Sequence, residues 1–473
     1  MNSPELAAVL SELDHSISLS DGEVTVADEQ KLRRTAHRLA EISALESGPK
    51  QSAARYLTRA AAQALGIYPA SIHALYMARG RADIPSDFTV PAMNLRSLSY
   101  DAARAVFRVA QNMDAGAMLF EIARSEIGYT GQRPAEYATN VLAAAISEGY
   151  RGPVFIQGDH FQVSHKRYLS DPAEELDTLR ALMDAAVQAG FFNIDVDTST
   201  LVDLSKATVA AQQELNADLS AMFTAYIRSI EPEGVTISVG GEIGEVGGVN
   251  SNEEELRAYM DGYKRLLESK AAGATGLSKI SIQTGTSHGG VVLPDGSLAQ
   301  VSIDFDTLKH LSEIARQDYQ LAGAVQHGAS TLPPAAFGKF AESEACEVHL
   351  ATNFQNMLYD RLPDDLRREI YAYLDANHSD ERKPEQTDEQ FYYKTRKYAI
   401  GPFKSQMWGM AADAKSNIST AWEEQFKLLF TLLNVGGTRK YVDAHITSVD
   451  VKVRIEDYQT GEVQSEDTSD LAD

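Results

Sequence analysis

Four short apolar runs in this chain each end on residues that can bind a metal ion. These residues are Asp159-His160, Glu242, His288 and His327. Three imidazoles give a borderline-soft divalent ion such as zinc three nitrogen ligands and leave a position open for substrate. Glycine directly after His288 and His327 lets the backbone approach a ligand closely. The pattern therefore predicts one metal centre with His160, His288 and His327 as ligands.

Carboxylates accompany the imidazoles. Asp159 directly precedes His160, and although adjacent strand residues point to opposite faces, a turn at the strand end can bring both over one surface. A carboxylate near a cation can take and return a hydroxyl proton, so Asp159 is the candidate general acid/base. The alternative is that Asp159 orients a histidine. Asp197 is a candidate for an orienting or alternate metal group, and Glu242 is the second carboxylate candidate.

The elements that must position these residues follow a strand–helix rhythm. Eight apolar runs, with starts 24 to 44 residues apart, leave room for one helix each time. We predict strands at 88–94, 117–122, 153–159, 191–197, 235–242, 279–284, 321–327 and 345–351. Eight such units predict a (β/α)8 TIM barrel, whose chemistry lies at the C-terminal ends of the strands.

The barrel is predicted to occupy residues 87–415, between two extensions. Residues 1–86 show helical spacing of apolar residues and are interpreted as a packing extension, with a lid or dimerisation arm as the alternative. Residues 416–473 are predicted to form an α/β extension: a helix at 420–434, then a strand where Val449, Val451, Val453 and Ile455 alternate with polar residues. The acidic tail from residue 466 is expected to be mobile.

Small and hydroxylated residues follow the last predicted strands. Barrels commonly bind phosphate on the loops after strands seven and eight, through backbone N–H groups and a hydroxyl. Gly289, Gly328, Ser330 and Thr352 fit that role. Gly247 and Gly248, after Glu242, suit a loop that wraps a ligand or binds a monovalent cation through carbonyls. For each glycine alone, a tight turn is the simpler interpretation.

Composition excludes several classes of partner. The formal net charge of -24 argues against non-specific binding to nucleic acid or an anionic membrane. Cys346 is the single cysteine, so neither an internal disulfide nor a thiolate zinc knuckle is expected. No apolar run is long enough to predict a signal peptide or a membrane span. We expect a cytoplasmic protein that acts on a small molecule.

The ordered motifs resemble the class II, metal-dependent ketose-bisphosphate aldolases from about residue 90 to Phe354. The motifs are Asp-His, Asp-x-Ser, Glu-x-Gly-x-x-Gly-Gly, Gly-Thr-Ser-His-Gly and His-Gly-Ala-Ser. The resemblance implies reversible aldol cleavage of a ketose phosphate. It implies zinc on the three histidines, Asp159 as acid/base, and Asp197 and Glu242 at alternate metal positions. It also implies substrate contacts from Asn94 and the phosphate loops, a monovalent cation near Gly247 and Gly248, and a homodimer or homotetramer.

Departures from the family pattern leave alternatives open. His349 stands where the family has an asparagine near the scissile bond, which implies a role for His349 in catalysis and keeps a sugar-phosphate epimerase or other lyase in view. The stretch 128–134, Gly-Tyr-Thr-Gly-Gln-Arg-Pro, is similar to a non-catalytic tagatose-bisphosphate aldolase subunit. A Schiff-base aldolase needs a desolvated lysine at the C-terminal end of a strand. Lys279 instead begins its predicted strand, and Lys206 lies in a loop or helix.

Overall fold

Eight parallel strands close into a barrel in the computed structural model, as the sequence predicts. The structure describes residues 4–20, 23–244, 249–285, 293, 303–459, 468, 470 and 471. The barrel strands are β4 (Val90–Asn94), β5 (Leu119–Ala123), β6 (Gly152–Gln162), β7 (Asn193–Asp197), β8 (Ser238–Glu242), β9 (Lys279–Ile282), β10 (Ala324–Gln326) and β11 (Glu347–Leu350). The labels begin at β4 because three strands of the N-terminal segment, β1 to β3, come earlier in the chain; their ranges are given below. Each barrel strand pairs with the next along the chain, and β11 pairs with β4 to close the ring.

Helices cover the outside of the barrel, so its strands are buried on both faces. They are α5 (Ser99–Asn112), α6 (Arg124–Thr130), α7 (Pro134–Glu148), α8 (His165–Ser170), α9 (Pro172–Ala189), α10 (Val209–Gln212), α11 (Glu214–Ile230), α12 (Glu253–Lys270), α13 (Phe305–Tyr319), α14 (Pro334–Glu342) and α15 (Thr352–Tyr359). The ends of α9 follow from the sequence. Asp171 accepts hydrogen bonds from the Ala173 and Glu174 N–H groups, and Gly190 ends the helix with a φ of 100°.

The N-terminal segment is mainly helical, as predicted, but it also contains strands that the sequence did not indicate. Its elements are α1 (Pro4–Glu12), β1 (Ile17–Ser20), β2 (Glu23–Val26), α2 (Glu29–Leu45), α3 (Gly48–Ala64), β3 (Ile67–Ala70) and α4 (His73–Gly80). β1 and β2 form an antiparallel pair, and β3 pairs in parallel with the start of β6. The Asn193 side chain donates to Ala70 O and Ile156 O, so it fixes β3 against the barrel.

The C-terminal segment is helical, and the strand predicted at 449–455 is wrong. Its helices are α16 (Asp364–Asn377), α17 (Asp388–Thr395), α18 (Lys404–Trp408), α19 (Ala412–Leu432) and α20 (Arg439–His445). Val449, Val451 and Val453 do pack against the core on one side. No strand lies beside them among the described residues, and a 3-10 helix begins at Ile455. The alternation therefore reports one-sided burial rather than sheet pairing.

The described end of the C-terminal tail contacts the barrel rather than standing apart from it. The Thr468 hydroxyl donates to Ser125 O over 3.0 Å, and Arg167 Nη2 lies 2.7 Å from Asp470 Oδ1. Both contacts lie on segments that follow β5 and β6. The mobility of the acidic tail and the domain boundaries at 86 and 415 stay predictions. In the described part of the chain, none of the helices has the length and apolar character needed to span a bilayer.

Candidate active site

A bulge near the end of β6 presents Asp159 and His160 to the same cavity. Gly158 of β6 pairs with Ile194 of β7, and the next pair is Phe161 with Val196. Two residues of β6 therefore lie between these pairs, against one residue of β7, so β6 carries one extra residue. His160 takes the left-handed conformation, with φ 40°. A bulge re-aims side chains beside active sites, and here it brings neighbouring residues to one surface, as the sequence interpretation required.

Two imidazoles and a carboxylate meet at the C-terminal end of the barrel. The ligand atoms of His160, Glu242 and His327 all lie within 4.8 Å of one another, and the three side chains are buried. His160 Nδ1 is 3.4 Å from Glu242 Oε2, and the His160 and His327 ring centroids are 4.2 Å apart. This donor set suits a divalent ion such as zinc. His288, the third predicted ligand, lies outside the described residues.

Asp197 orients His160. Its Oδ2 lies 3.1 Å from His160 Nδ1 and accepts a hydrogen bond from Gln162, while its Oδ1 accepts two from Ser199. Burial raises the pKa of Asp197, but the His160, Gln162 and Ser199 contacts outweigh burial and lower the pKa overall. An ionised Asp197 beside Nδ1 leaves the other ring nitrogen for a cation.

Asp159 lies among imidazoles and beside Asn94. Its Oδ2 accepts from Asn94 Nδ2 over 2.9 Å, and its Oδ1 is 3.1 Å from His349 Nδ1. The Oδ1 atom is also 4.0 Å from both His160 Nε2 and His327 Nδ1. Burial raises the pKa of Asp159, but the nearby histidines outweigh it and bring the pKa well below its ordinary value. A lowered pKa favours the ionised form of Asp159, which is the form that a proton acceptor needs.

A layer of buried charges lies beneath this site inside the barrel. Lys279 Nζ is 2.9 Å from Asp195 and also bonds Glu347 and Gln157. His349 Nε2 is 2.7 Å from Glu347 Oε1. Burial lowers the pKa of Lys279, but Asp195 and Glu347 outweigh it and raise the pKa, so the lysine is held protonated. A protonated, salt-bridged amine does not form a Schiff base, which counts against that alternative.

Most of the predicted phosphate-binding residues line the same cavity as the catalytic candidates. Asn94, Gly328, Ser330 and Thr352 lie around it together with Asp159, His160, His327 and His349. The Ala351 N–H donates to Ser330 Oγ over 2.5 Å, which joins the loops after β10 and β11. Gly289, Gly247 and Gly248 lie outside the described residues, so their roles stay predictions.

Sequence reasoning missed several charged residues around the cavity. Arg96 and Glu126 line it, and Glu121 and Glu347 lie in the layer below. For Glu121 and Glu347 a signal was available: each is the single carboxylate of a buried strand, Leu-Phe-Glu-Ile-Ala and Glu-Val-His-Leu. Arg96 carries no such signal because it lies in a loop.

The chain belongs to the class-II fructose-bisphosphate aldolase family. The family model matches residues 85–421, which include every barrel strand and all the site residues described above. Family membership supports an aldolase-type lyase activity and the use of a divalent metal. No curated protein matches the chain.

Several solved structures are similar to this chain at low sequence identity. A protein described as a probable tagatose 6 phosphate kinase from Sinorhizobium meliloti 1021 is 15% identical, with a TM-score of 0.53 over 75% of this chain and 99% of that one. A fructose-bisphosphate aldolase from Campylobacter jejuni is 16% identical, with a TM-score of 0.46 over 79% and 97%. The YdjI aldolase from Escherichia coli K12 is 14% identical, with a TM-score of 0.40 over 73% and 99%.

Proposed function

We propose that the protein is a zinc-dependent aldolase that reversibly cleaves a ketose phosphate into a triose phosphate and an aldehyde. One observation carries the proposal: the β6 bulge brings a carboxylate, Asp159, and an imidazole, His160, to one cavity with His327, and Glu242 lies beside His160. A general base beside a cation site is the arrangement that aldol cleavage needs.

His160, His327 and Glu242 would hold the divalent ion, with His288 as the third imidazole. The ion supplies Lewis-acid stabilisation of the negative charge that collects on the substrate carbonyl oxygen when the carbon–carbon bond breaks. The described ligands lie on or directly after three different strands, so the barrel sets their geometry before substrate binds. Asp197 would fix the His160 ring so that one nitrogen faces the ion.

Asp159 would take the proton from the substrate hydroxyl during cleavage and return it during condensation. Asn94 holds one carboxylate oxygen, and His349 lies beside the other. Burial lowers the pKa of His349, but Glu121 and Asp159 outweigh it and raise the pKa well above its usual value. A protonated His349 would donate to Asp159 from one side and to Glu347 from the other, and so hold Asp159 in its ionised form.

The first test combines metal analysis with a coupled assay for triose phosphate. We expect about one zinc per chain and loss of activity on chelation. Asp159→Asn should keep the zinc while kcat falls about a hundred- to ten-thousand-fold. Asp177→Asn, which changes a carboxylate paired with Arg180 on the outer helix α9, is the matched control and should leave kcat unchanged.

Three outcomes would contradict the proposal. Full activity in metal-free protein would remove the Lewis acid from the scheme. A basal rate that Asp159→Asn leaves intact would favour the alternative of a non-catalytic, aldolase-like subunit. A product of altered stereochemistry without any triose phosphate would favour the epimerase alternative.

A further inference from the structure

One arginine, Arg96, lies in the wall of the active-site cavity. It follows β4 by two residues, its side chain is 6% exposed, and it lines the cavity with Ser330 and Thr352. Among the described lining residues, Arg96 is the single lysine or arginine. In a chain of net charge -24, with Asp159 and Glu126 in the same wall, an anionic substrate needs such a local cation.

The guanidinium lies beside the first turn of α15. Its Nε donates to Glu126 Oε1 over 2.5 Å, and its Nη1 donates to Gln355 Oε1 over 3.4 Å. Gln355 belongs to the first turn of α15, which begins at Thr352. This proximity follows from closure of the barrel, because β4 and β11 are neighbours and their following loops meet. The N-terminal turn of a helix also favours an anion.

We propose that Arg96 binds the terminal phosphate of the substrate, together with the hydroxyls of Ser330 and Thr352 and the first turn of α15. A guanidinium presents five N–H donors in a planar fork that matches two phosphate oxygens, whereas a lysine offers a single point charge. The identity of the ligand as a ketose phosphate rests on the proposed function. The location of the anion site rests on the placement of Arg96.

The same arginine is connected to the acid/base candidate. Glu126 accepts from Arg96 through Oε1 and from Asn94 through Oε2, and Asn94 donates to Asp159. The Ala123 N–H also donates to Glu126 Oε2 and holds it in place. Glu126 is therefore a positioning residue that joins the phosphate site to the carboxylate that moves the proton.

The test measures binding of inorganic phosphate to the full-length, metal-loaded protein by calorimetry. Arg96→Gln should raise the Kd for phosphate about tenfold or more, and Arg96→Lys should raise it less because the charge remains. Arg104→Gln is the control, since Arg104 lies on the outer face of α5 and pairs with Glu148. Its Kd should equal that of the wild type.

A second variant guards against misfolding. Arg96→Gln leaves Glu126 buried without its cation, whereas the double variant Arg96→Gln with Glu126→Gln replaces the ion pair by a neutral amide pair and should fold. Wild-type phosphate affinity in the folded double variant would overturn the inference, as would failure of the wild type to bind phosphate at millimolar concentrations. Phosphate binding through Arg96 without any aldol cleavage would leave the inference standing and reject the proposed function.

The steady-state constants separate the roles of the two residues. With a phosphorylated ketose as substrate, Arg96→Lys should act mainly on KM, because the anchor is weakened in every bound state. Glu126→Gln should act mainly on kcat, because Asn94 and Asp159 lose their fixed orientation. If both variants raised KM and lowered kcat by the same factor, Arg96 and Glu126 would have a merely structural role.

Discussion

At the scale of single residues, the site depends on Gly158. A Cβ atom at this position would lie 2.4 Å from the Phe161 ring, so no larger residue fits while the bulge is kept. The bulge also holds His160 at a positive φ, a conformation that non-glycine residues adopt only where the surroundings impose it. Packing of Phe161 over Gly158 is therefore what keeps Asp159 and His160 facing one cavity.

Gly158→Ala should disrupt the bulge. We expect a loss of about 1–3 kcal/mol in the free energy of unfolding, from overpacking against Phe161, together with a loss of bound zinc. The control is Gly262→Ala in α12, where the added Cβ would meet Ala217 at 3.4 Å. That change should stabilise the protein by roughly 0.4–1 kcal/mol and leave zinc bound. Denaturant unfolding with metal analysis tests both, and a normal zinc content in Gly158→Ala would refute this role for the bulge.

The sequence predicts the residues at strand ends better than the residues that support them. Asp159, Glu242, His327 and His349 each follow or end a buried run, and parallel strands bring such ends together. The roles of Arg96 and Glu126 follow only from their contact with each other, and these two residues lie 30 positions apart in the sequence. Such pairs leave no periodic trace, so spacing alone cannot reveal them.

At the scale of elements, short apolar runs predict all eight barrel strands because those strands are buried on both faces. The prediction misses β3 and is wrong at 449–455, where the alternation has another cause. β3 has four residues, including Pro69, and pairs only because Asn193 and β6 hold it. Residues 449–455 alternate because one side packs against the core, although no strand is adjacent.

The start of α4 should make stability depend on pH. Burial lowers the pKa of His73 to about 4, with Arg228 and Arg81 adding to the effect, and its Nδ1 has no hydrogen-bond partner among the described residues. The folded-state pKa of His73 lies below the ordinary value near 6.5. Neutral His73 therefore makes its full contribution to the free energy of unfolding above pH 6.5, and this contribution is lost as pH falls toward 4.

His73→Asn should remove this pH dependence. Protonation of His73 should lower the free energy of unfolding of the wild type by roughly 3 kcal/mol between pH 6.5 and 4. Subtracting the free energy of unfolding of His73→Asn from that of the wild type at each pH separates this effect from that of other titrating groups. Denaturant unfolding at a series of pH values measures it. Parallel curves for His73→Asn and the wild type across that range would contradict the assignment.

At the scale of the whole molecule, the barrel interior is charged rather than filled only by aliphatic layers. Lys279 on β9 links Asp195 on β7 to Glu347 on β11, so one amine joins three strands. Removing one partner of a buried ion pair costs more than the pair contributes, since the remaining charge is left unpaired.

Lys279→Met should therefore lower the free energy of unfolding by roughly 3–5 kcal/mol. Lys270→Met, which removes a partly exposed lysine paired with Asp218, should change it by about 0–1 kcal/mol. Chemical denaturation of both variants measures the contrast. Treatment of the wild type with borohydride and substrate should trap no adduct, and a trapped adduct on Lys279 would revive the Schiff-base alternative.

Closure of the ring between β4 and β11 has a consequence for biosynthesis. The strand that begins at Val90, β4, has both of its neighbours only after the strand that begins at Glu347, β11, has been synthesised. A nascent chain therefore carries unpaired strand edges through most of translation. β3 is synthesised early and pairs with the first residues of β6. The later residues of the same edge of β6 pair with β7. The amino-terminal segment thus pairs with the first residues of β6 before the barrel is complete.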